Sequence, residues 1–231
     1  MGQHSLPGNP PVPLLLRSSA RARRITLRIS SLDGTVTLTR PRGVSEAQAL
    51  EFAREKEDWL RQHLAGQSDW LEVRVGVDLP VEGRLRRVGI GSGRRVQMSD
   101  DHILVPGTED RAAARLLGFL KTRARARLAA ASDEYAAALG RPYNRLTLRD
   151  TRSRWGSCTA DGGLMYSWRL ILAPPAVLDY VAAHEVAHLA EMNHSPAFWA
   201  VVERLYGAYE GPRRWLRDEG AALHRIRFTQ N

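Results

Sequence analysis

The densest group of chemically active side chains lies near the C-terminal end of the sequence. His184, Glu185 and His188 form an H-E-x-x-H motif, and His194 follows six residues after the second histidine. On a helix, positions four residues apart share one face, so the imidazoles of His184 and His188 can point at one ion. Zinc binds neutral imidazole nitrogens in tetrahedral geometry, and a catalytic zinc site keeps one position open. The motif therefore predicts a zinc site.

Glu185 lies beside the first of these histidines and is predicted to act as a general base. Its carboxylate can reach the open position without binding the ion, and can accept a proton from the water that the ion activates. The alternative is a solvated helix face, since the motif arises by chance in roughly one chain of this composition in a hundred. Val186 and Ala187 argue against that alternative, because small apolar residues between the histidines indicate a buried helix.

A third metal ligand must come from outside the His184–His188 pair, and His194 is the nearest candidate. The run from Asn193 to Pro196 is typical of a turn into a new helix, with Ser195 as the N-cap and Pro196 as the first helical residue. Such a turn gives His194 a structural reason to lie back towards the metal.

Composition narrows the class of protein. With 231 residues and 43% hydrophobic composition, the chain can bury a sizeable core. Its one cysteine, Cys158, excludes a disulfide framework and a cysteine-based zinc site, which suits a reducing cytoplasm. No run approaches the length of a transmembrane helix, and the N-terminal apolar run is too short for a signal peptide. We therefore expect a cytoplasmic protein with no membrane partner.

The formal net charge of +9 raises the question of nucleic-acid contact. Nearly all the basic residues are arginines, and they are scattered through the chain among acidic residues. Contact with nucleic acid stays open as a possible partner interaction, and a generally basic surface is the alternative.

Three parts of the chain are predicted from pattern. Residues 1–23 are rich in proline, glycine and serine and are predicted to form a mobile tail. Residues 24–106 form a β-rich part, with a hairpin made by alternating runs on either side of residues 31–34, and one helix over residues 47–64. Residues 107–231 carry a long helix over 110–139, a strand over 164–172 and the H-E-x-x-H helix. The fold class is α+β.

A dense polar and aromatic segment, Arg154-Trp155-Gly156-Ser157-Cys158, is the second most informative stretch. In one interpretation it lines the cleft, and Arg154, Trp155 and Ser157 contact substrate together with Tyr166 from the following strand. In the other it holds the metal-binding helix by packing and hydrogen bonds. The residue that stabilises an oxyanion is not identified by the sequence.

Several motifs resemble those of the YgjP-like metallopeptidase family, which is related to the SprT-like and WLM zinc metallopeptidases. The similarity covers roughly residues 24 to 225. It rests on the segments Pro41–Ser45, Ser153–Cys158, Trp168–Leu170, Asp179–Val181, His184–Leu189, Asn193–Ser195, Phe198–Trp199 and Trp215–Leu216. Glu191 stands where metzincins have a glycine that permits a sharp turn, so the chain is not a metzincin.

This resemblance implies an α+β minimal zincin in the C-terminal part. It also implies His184, His188 and His194 as zinc ligands and Glu185 as the general base. The family commonly has asparagine where this chain has Ser167, which is not a ligand position.

The sequence thus predicts a zinc-dependent hydrolase, most directly a metallopeptidase that cleaves a peptide or protein substrate. Two alternatives stay open. The same zinc site could serve a nucleotide pyrophosphohydrolase in which arginines hold the phosphates. Alternatively, the protein could associate with DNA and use its zinc mainly to stabilise the fold.

Overall fold

A computed structural model describes residues 2–30, 34–65 and 70–228, which form an α+β fold as predicted. The chain divides into two compact units, residues 1–70 and residues 71–231. None of the helices within these described ranges combines the length and apolar character needed to cross a membrane.

The N-terminal unit contains a four-stranded sheet with strand order β1-β2-β4-β3. The strands β2 and β4 are parallel, whereas the β1–β2 and β3–β4 pairs are antiparallel. The antiparallel β3–β4 pair confirms the predicted hairpin strands, although most of the predicted turn, residues 31–33, lies outside the described residues. The strands are β1 (Gly2–Leu6), β2 (Val12–Ser19), β3 (Thr26–Ile29) and β4 (Val36–Pro41).

The structure differs from the predicted mobile tail over residues 1–23, because β1 and β2 lie within it. The reason is a short period-two pattern. Val12, Leu14 and Leu16 alternate with other residues and are all buried in the core of this unit. This pattern is interrupted by proline and leucine at the intervening positions, and the composition of the tail obscured it.

Two helices, α1 (Glu46–Glu55) and α2 (Glu57–Ala65), replace the single helix predicted for the β-rich part. Ser45 begins α1 with a capping box, in which its hydroxyl accepts from the Gln48 amide and the Gln48 side chain accepts from the Ser45 amide. The break falls at Lys56, whose amide hydrogen-bonds to the last carbonyls of α1.

The C-terminal unit begins with a second four-stranded sheet, in the order β6-β7-β9-β8. A short parallel pair joins β5 to β13, which is the last strand within the described residues. These strands are β5 (Leu71–Glu72), β6 (Asp78–Val81), β7 (Arg84–Gly91), β8 (Gln97–Met98), β9 (His102–Pro106) and β13 (Ile226–Arg227).

The boundary between the units falls after residue 70, whereas a boundary after residue 106 was predicted. The difference has a packing reason. Leu79, Ile103 and Leu116 belong to the same buried cluster as Phe198, far along the chain. The strands up to β9 therefore share their core with the metal-motif half instead of forming a domain with the first sheet.

The long helix α3 (Glu109–Leu139) runs through this core, burying a stripe of alanine and leucine side chains. It ends at Gly140, whose φ of 70° is the left-handed conformation that glycine adopts most easily. A three-stranded sheet follows, in the order β10-β12-β11, with β10 and β12 parallel and β11 antiparallel to β12. Its strands are β10 (Arg145–Arg149), β11 (Gly156–Cys158) and β12 (Gly163–Ser167).

The remaining elements position the metal motif. A strand predicted through Leu172 stops at Ser167, and a buried 3-10 helix (Trp168–Leu172) takes its place. Four helices follow: α4 (Pro175–Ala187), α5 (Pro196–Tyr206), α6 (Glu210–Asp218) and α7 (Gly220–His224). The single last helix predicted over 213–223 is thus two helices.

Candidate metal centre

Helix α4 carries the first part of the H-E-x-x-H motif inside the protein core. Pro175 is its first residue, where the missing N–H costs nothing, and His188 is its C-terminal cap. Nearly every residue from Val177 to Ala187 is buried. An almost wholly apolar helix of this kind is held by packing on all sides, which fixes the positions of its few polar groups.

The chain leaves α4 immediately after His188 and turns back at His194. The amides of Leu189 and Ala190 bond to carbonyls three residues before them, closing a tight turn. The Ser195 amide then donates to the Asn193 side chain at 3.0 Å, and the Ser195 hydroxyl accepts from the first turn of α5. The predicted N-cap and first residue of this helix are therefore confirmed.

These two turns bring three imidazoles together. One ring nitrogen from each of His184, His188 and His194 lies within 4.8 Å of the others. The Nε2 atoms of His184 and His194 are 3.1 Å apart. Ligand nitrogens on a tetrahedral zinc ion are separated by about 3.3 Å, so this spacing fits two ligands of one ion.

The protonation states of His184 and His188 suit metal binding. His188 Nδ1 lies 2.9 Å from the Glu191 carbonyl and donates to it, which leaves the Nε2 lone pair free. Burial lowers the pKa of His184 to about 3, and the neighbouring cationic groups act in the same direction. Burial also lowers the pKa of His188. Neutral imidazole, the form that binds metals, is thus favoured at both positions.

Phe198 forms the floor beneath the three histidines. Its ring is fully buried and lies 4.9, 4.4 and 4.7 Å from the rings of His184, His188 and His194, measured between centroids. This side chain comes from α5, the helix that Ser195 caps. The start of α5 therefore positions His194 and also supplies the apolar surface beneath the site.

Glu185 lies on the same helix with only 5% of its surface exposed. Burial raises the pKa of its carboxyl to about 8, and the charge of Arg154 opposes that rise. The carboxyl group is also confined by strand β11. A Cβ atom built on Gly156 would lie 2.5 Å from Glu185 Oε1 and 2.6 Å from its Cγ. Any side chain at position 156 would therefore displace the glutamate from its observed place.

These groups surround a depression of about 230 Å³, called the metal cleft below. The three histidines and Glu185 line one side, and strand β11 lines the other. Its full lining is Gly156, Ser157, Cys158, His184, Glu185, His188, Met192 and His194.

Of the four residues predicted to contact substrate, one lines the metal cleft. Ser157 lies on β11 and faces it. Arg154 is exposed, and its charge opposes the rise that burial causes in the pKa of Glu185, but its side chain does not line the metal cleft.

The structure places the other two elsewhere, which corrects the prediction that they contact substrate. The Trp155 ring packs against His224 at 4.8 Å between centroids and against Gly220 of α7. Tyr166 is completely buried, and its hydroxyl lies 3.0 Å from the hydroxyl of Ser132 on α3. Tyr166 points from β12 into the core, and Trp155 packs against α7. Both aromatic residues therefore support the scaffold of the site.

Three further residues line the metal cleft. Gly156 and Cys158 belong to the Arg154–Cys158 segment, which one of the two interpretations of the sequence placed along the cleft. Burial raises the pKa of the Cys158 thiol to about 11, with the Glu185 charge acting in the same direction. Met192 is 53% exposed at the rim of the metal cleft, and no sequence signal identified it.

Comparison with known proteins gives a family and one similar structure. The model of the YgjP-like metallopeptidase domain matches residues 23–219. The crystal structure of the metallopeptidase zymogen of Pyrococcus abyssi abylysin is similar at a TM-score of 0.37 with 17% identity, over 40% of this chain and 95% of that chain. No curated protein matches.

The assignment rests on the family match, which spans most of the sequence, including the three clustered histidines and Glu185. Membership of this family makes the protein a metal-dependent peptidase. The chain belongs to the YgjP-like metallopeptidase family.

Proposed function

We propose that this protein is a zinc metallopeptidase in which His184, His188 and His194 bind the zinc ion and Glu185 acts as general base and acid. The observation that carries the proposal is the approach of three imidazole nitrogens to within 4.8 Å of one another, beside a buried carboxylate on the same helix. An all-imidazole donor set of three residues suits zinc and leaves a fourth position open.

The zinc ion, when bound, would polarise the scissile carbonyl and lower the pKa of water. Glu185 then takes a proton from the attacking water on its carboxylate oxygen and passes it to the leaving nitrogen. The ionised form that can accept this proton is favoured by a cation held among the histidines, because an opposite charge stabilises a carboxylate. Phe198 keeps bulk water from the underside of the histidines.

Strand β11 is the proposed support for the substrate backbone. Among the described residues it lies at the edge of its sheet and pairs with β12 alone. Ser157 and its two neighbours on β11 line the metal cleft. An extended peptide can add to such an edge through backbone hydrogen bonds, which places a scissile bond next to Glu185.

The test is a cleavage assay with zinc-loaded protein on casein and on a peptide library, comparing the natural chain with Glu185→Gln. We expect the variant to keep its zinc and to lose about 10²- to 10⁴-fold in kcat, because the proton acceptor is lost without a change of shape. Glu203→Gln is the matched control, since this exposed glutamate lies on α5 outside the metal cleft. Full activity of Glu185→Gln would contradict the assigned role.

Two further assays decide between the proposal and its alternatives. Release of pyrophosphate from nucleoside triphosphates, without peptide cleavage, would make the protein a pyrophosphohydrolase. Zinc binding without any hydrolysis, together with DNA binding that weakens steeply with salt, would support a DNA-associated protein with a structural zinc. Peptide cleavage that depends on Glu185 would exclude both as the main function.

A further inference from the structure

A second depression adjoins the metal cleft, and it is called the Arg141 pocket below. It has a volume of about 440 Å³ and shares His188 and Met192 with the metal cleft. Its lining comes from the segment after α3, from the β11–β12 turn and from the turn after α4: Arg141, Pro142, Thr159, Ala160, Asp161, Gly162, His188, Leu189 and Met192. A chain that extends from the metal cleft across Met192 enters this pocket directly.

Arg141 is held in place by backbone contacts at both ends. Its amide donates to the Ala136 carbonyl of α3 at 3.1 Å, just beyond the left-handed Gly140. Its Nη1 donates to the Leu189 carbonyl at 2.8 Å, one residue after His188. A guanidinium has five N–H donors, so one such bond orients it while leaving most of its donors available.

The charge of this guanidinium is not balanced within the pocket. In the described ranges of the chain, no carboxylate lies within ion-pair distance of Arg141. Asp161 also lines the pocket, but its carboxylate pairs with Arg145 at 3.2 Å and accepts from the Thr159 hydroxyl. The unpaired charge in the pocket is therefore positive.

We propose that the Arg141 pocket is a substrate subsite that binds a carboxylate of the peptide through the free N–H groups of Arg141. The proposal rests on the peptidase function proposed above and adds the substrate class, peptides with an acidic group near the scissile bond. Planar guanidinium matches a carboxylate with two parallel hydrogen bonds, which gives selectivity as well as attraction.

The carboxylate could belong to an aspartate or glutamate side chain or to the C-terminus of a peptide. A third depression, of about 560 Å³, continues beyond the Arg141 pocket and shares Arg141 and Pro142 with it. A longer peptide substrate thus has room to continue beyond the Arg141 pocket. This continuity favours an acidic side chain within the peptide as the ligand.

The experiment measures kcat/KM for matched peptides with zinc-loaded protein. One glutamate is moved through each position on both sides of a cleavable bond in an amidated peptide, against glutamine and lysine at the same positions. A glutamine peptide with a free C-terminus forms the other arm. We expect one position at which glutamate raises kcat/KM about three- to tenfold over glutamine, the range for a partly exposed charged pair.

The variants assign this preference to Arg141. Arg141→Gln should abolish the glutamate-to-glutamine ratio, Arg141→Glu should reverse it in favour of lysine, and Arg141→Lys should keep part of it. The ratio is taken within each variant, so a general loss of activity or of zinc cancels. Arg149→Gln is the matched control, because Arg149 is an exposed arginine that does not line this pocket.

Each outcome decides a different point. A gain confined to the free C-terminus supports the carboxylate subsite and identifies the terminal group as its ligand. Cleavage without any acidic preference, or a preference that survives Arg141→Gln, overturns the subsite and leaves the peptidase function standing. Failure of the zinc-loaded natural chain to cleave any peptide overturns both.

Discussion

The metal cleft and the Arg141 pocket lie side by side, share His188 and Met192, and are built in different ways. In the metal cleft, Glu185 and His188 are held by the core and are only 5% and 8% exposed. In the Arg141 pocket, Arg141 and Asp161 are exposed and come from a helix end and a turn. Cleavage of a bond requires reactive groups that are fixed and shielded from water, whereas recognition of a substrate side chain tolerates solvent in the pocket.

This difference predicts the size of mutational effects. Substitutions among the buried groups of the metal cleft should change activity by orders of magnitude, because the surrounding core cannot relax around them. Substitutions in the Arg141 pocket should change a preference between substrates by less than about tenfold, because an exposed charge is screened by solvent.

The largest effect is expected at His188, which lines both depressions. His188→Ala removes a proposed ligand and should weaken zinc binding by at least about 100-fold, with loss of cleavage for acidic and neutral peptides alike. Zinc content after dialysis, measured by atomic emission, provides the check. His102→Ala is the control, since that histidine is exposed on β9. Undiminished zinc in His188→Ala would remove this residue from the ligand set.

A smaller loss is expected when the metal cleft is narrowed by one methyl group. Gly156→Ala places a carbon within 3 Å of the Glu185 carboxylate and should displace it, which lowers kcat by about 10²-fold while zinc is kept. Steady-state kinetics and zinc content measure the two quantities separately.

The same substitution at Gly118 controls for the change of residue type, because a Cβ there meets nothing within 4 Å. If Gly156→Ala and Gly118→Ala both cleave at the natural rate, confinement of Glu185 by β11 is not needed for turnover.

The smallest effect is expected at Ser195, which supports the metal cleft only by capping helix α5. Ser195→Ala removes the side-chain cap of α5 and should lower the free energy of unfolding by about 1 kcal/mol. Urea denaturation measures this change, with the exposed Ser153→Ala as control. An unfolding free energy equal to that of the natural chain would mean that Pro196 and the packing of Phe198 suffice to start the helix.

Local signals account for what could be predicted of the site. The four-residue spacing of His184 and His188, and the Ser195-Pro196 helix start, act within one or two turns of chain. The β3–β4 pair was likewise predictable, because alternation depends on neighbouring residues.

Predictions that needed distant partners were wrong or incomplete. Tyr166 was placed at the substrate, but the face of β12 on which it lies is set by packing against Ser132 of α3. The boundary after residue 106 was wrong for the same reason, since the strands before it share a core with helices that come much later. The β1 and β2 strands were missed in part because β4, the parallel partner of β2, lies outside the predicted tail.

The sequence by itself determined which side chains can share a metal and which carboxylate lies beside them, since residue type and helical spacing decide both. Tertiary structure alone decided how those groups are confined. Gly156 touches Glu185 across 29 positions, and Arg141 reaches the Leu189 carbonyl across 48. Contacts of that separation form only when the core brings distant segments together, and no local pattern encodes them.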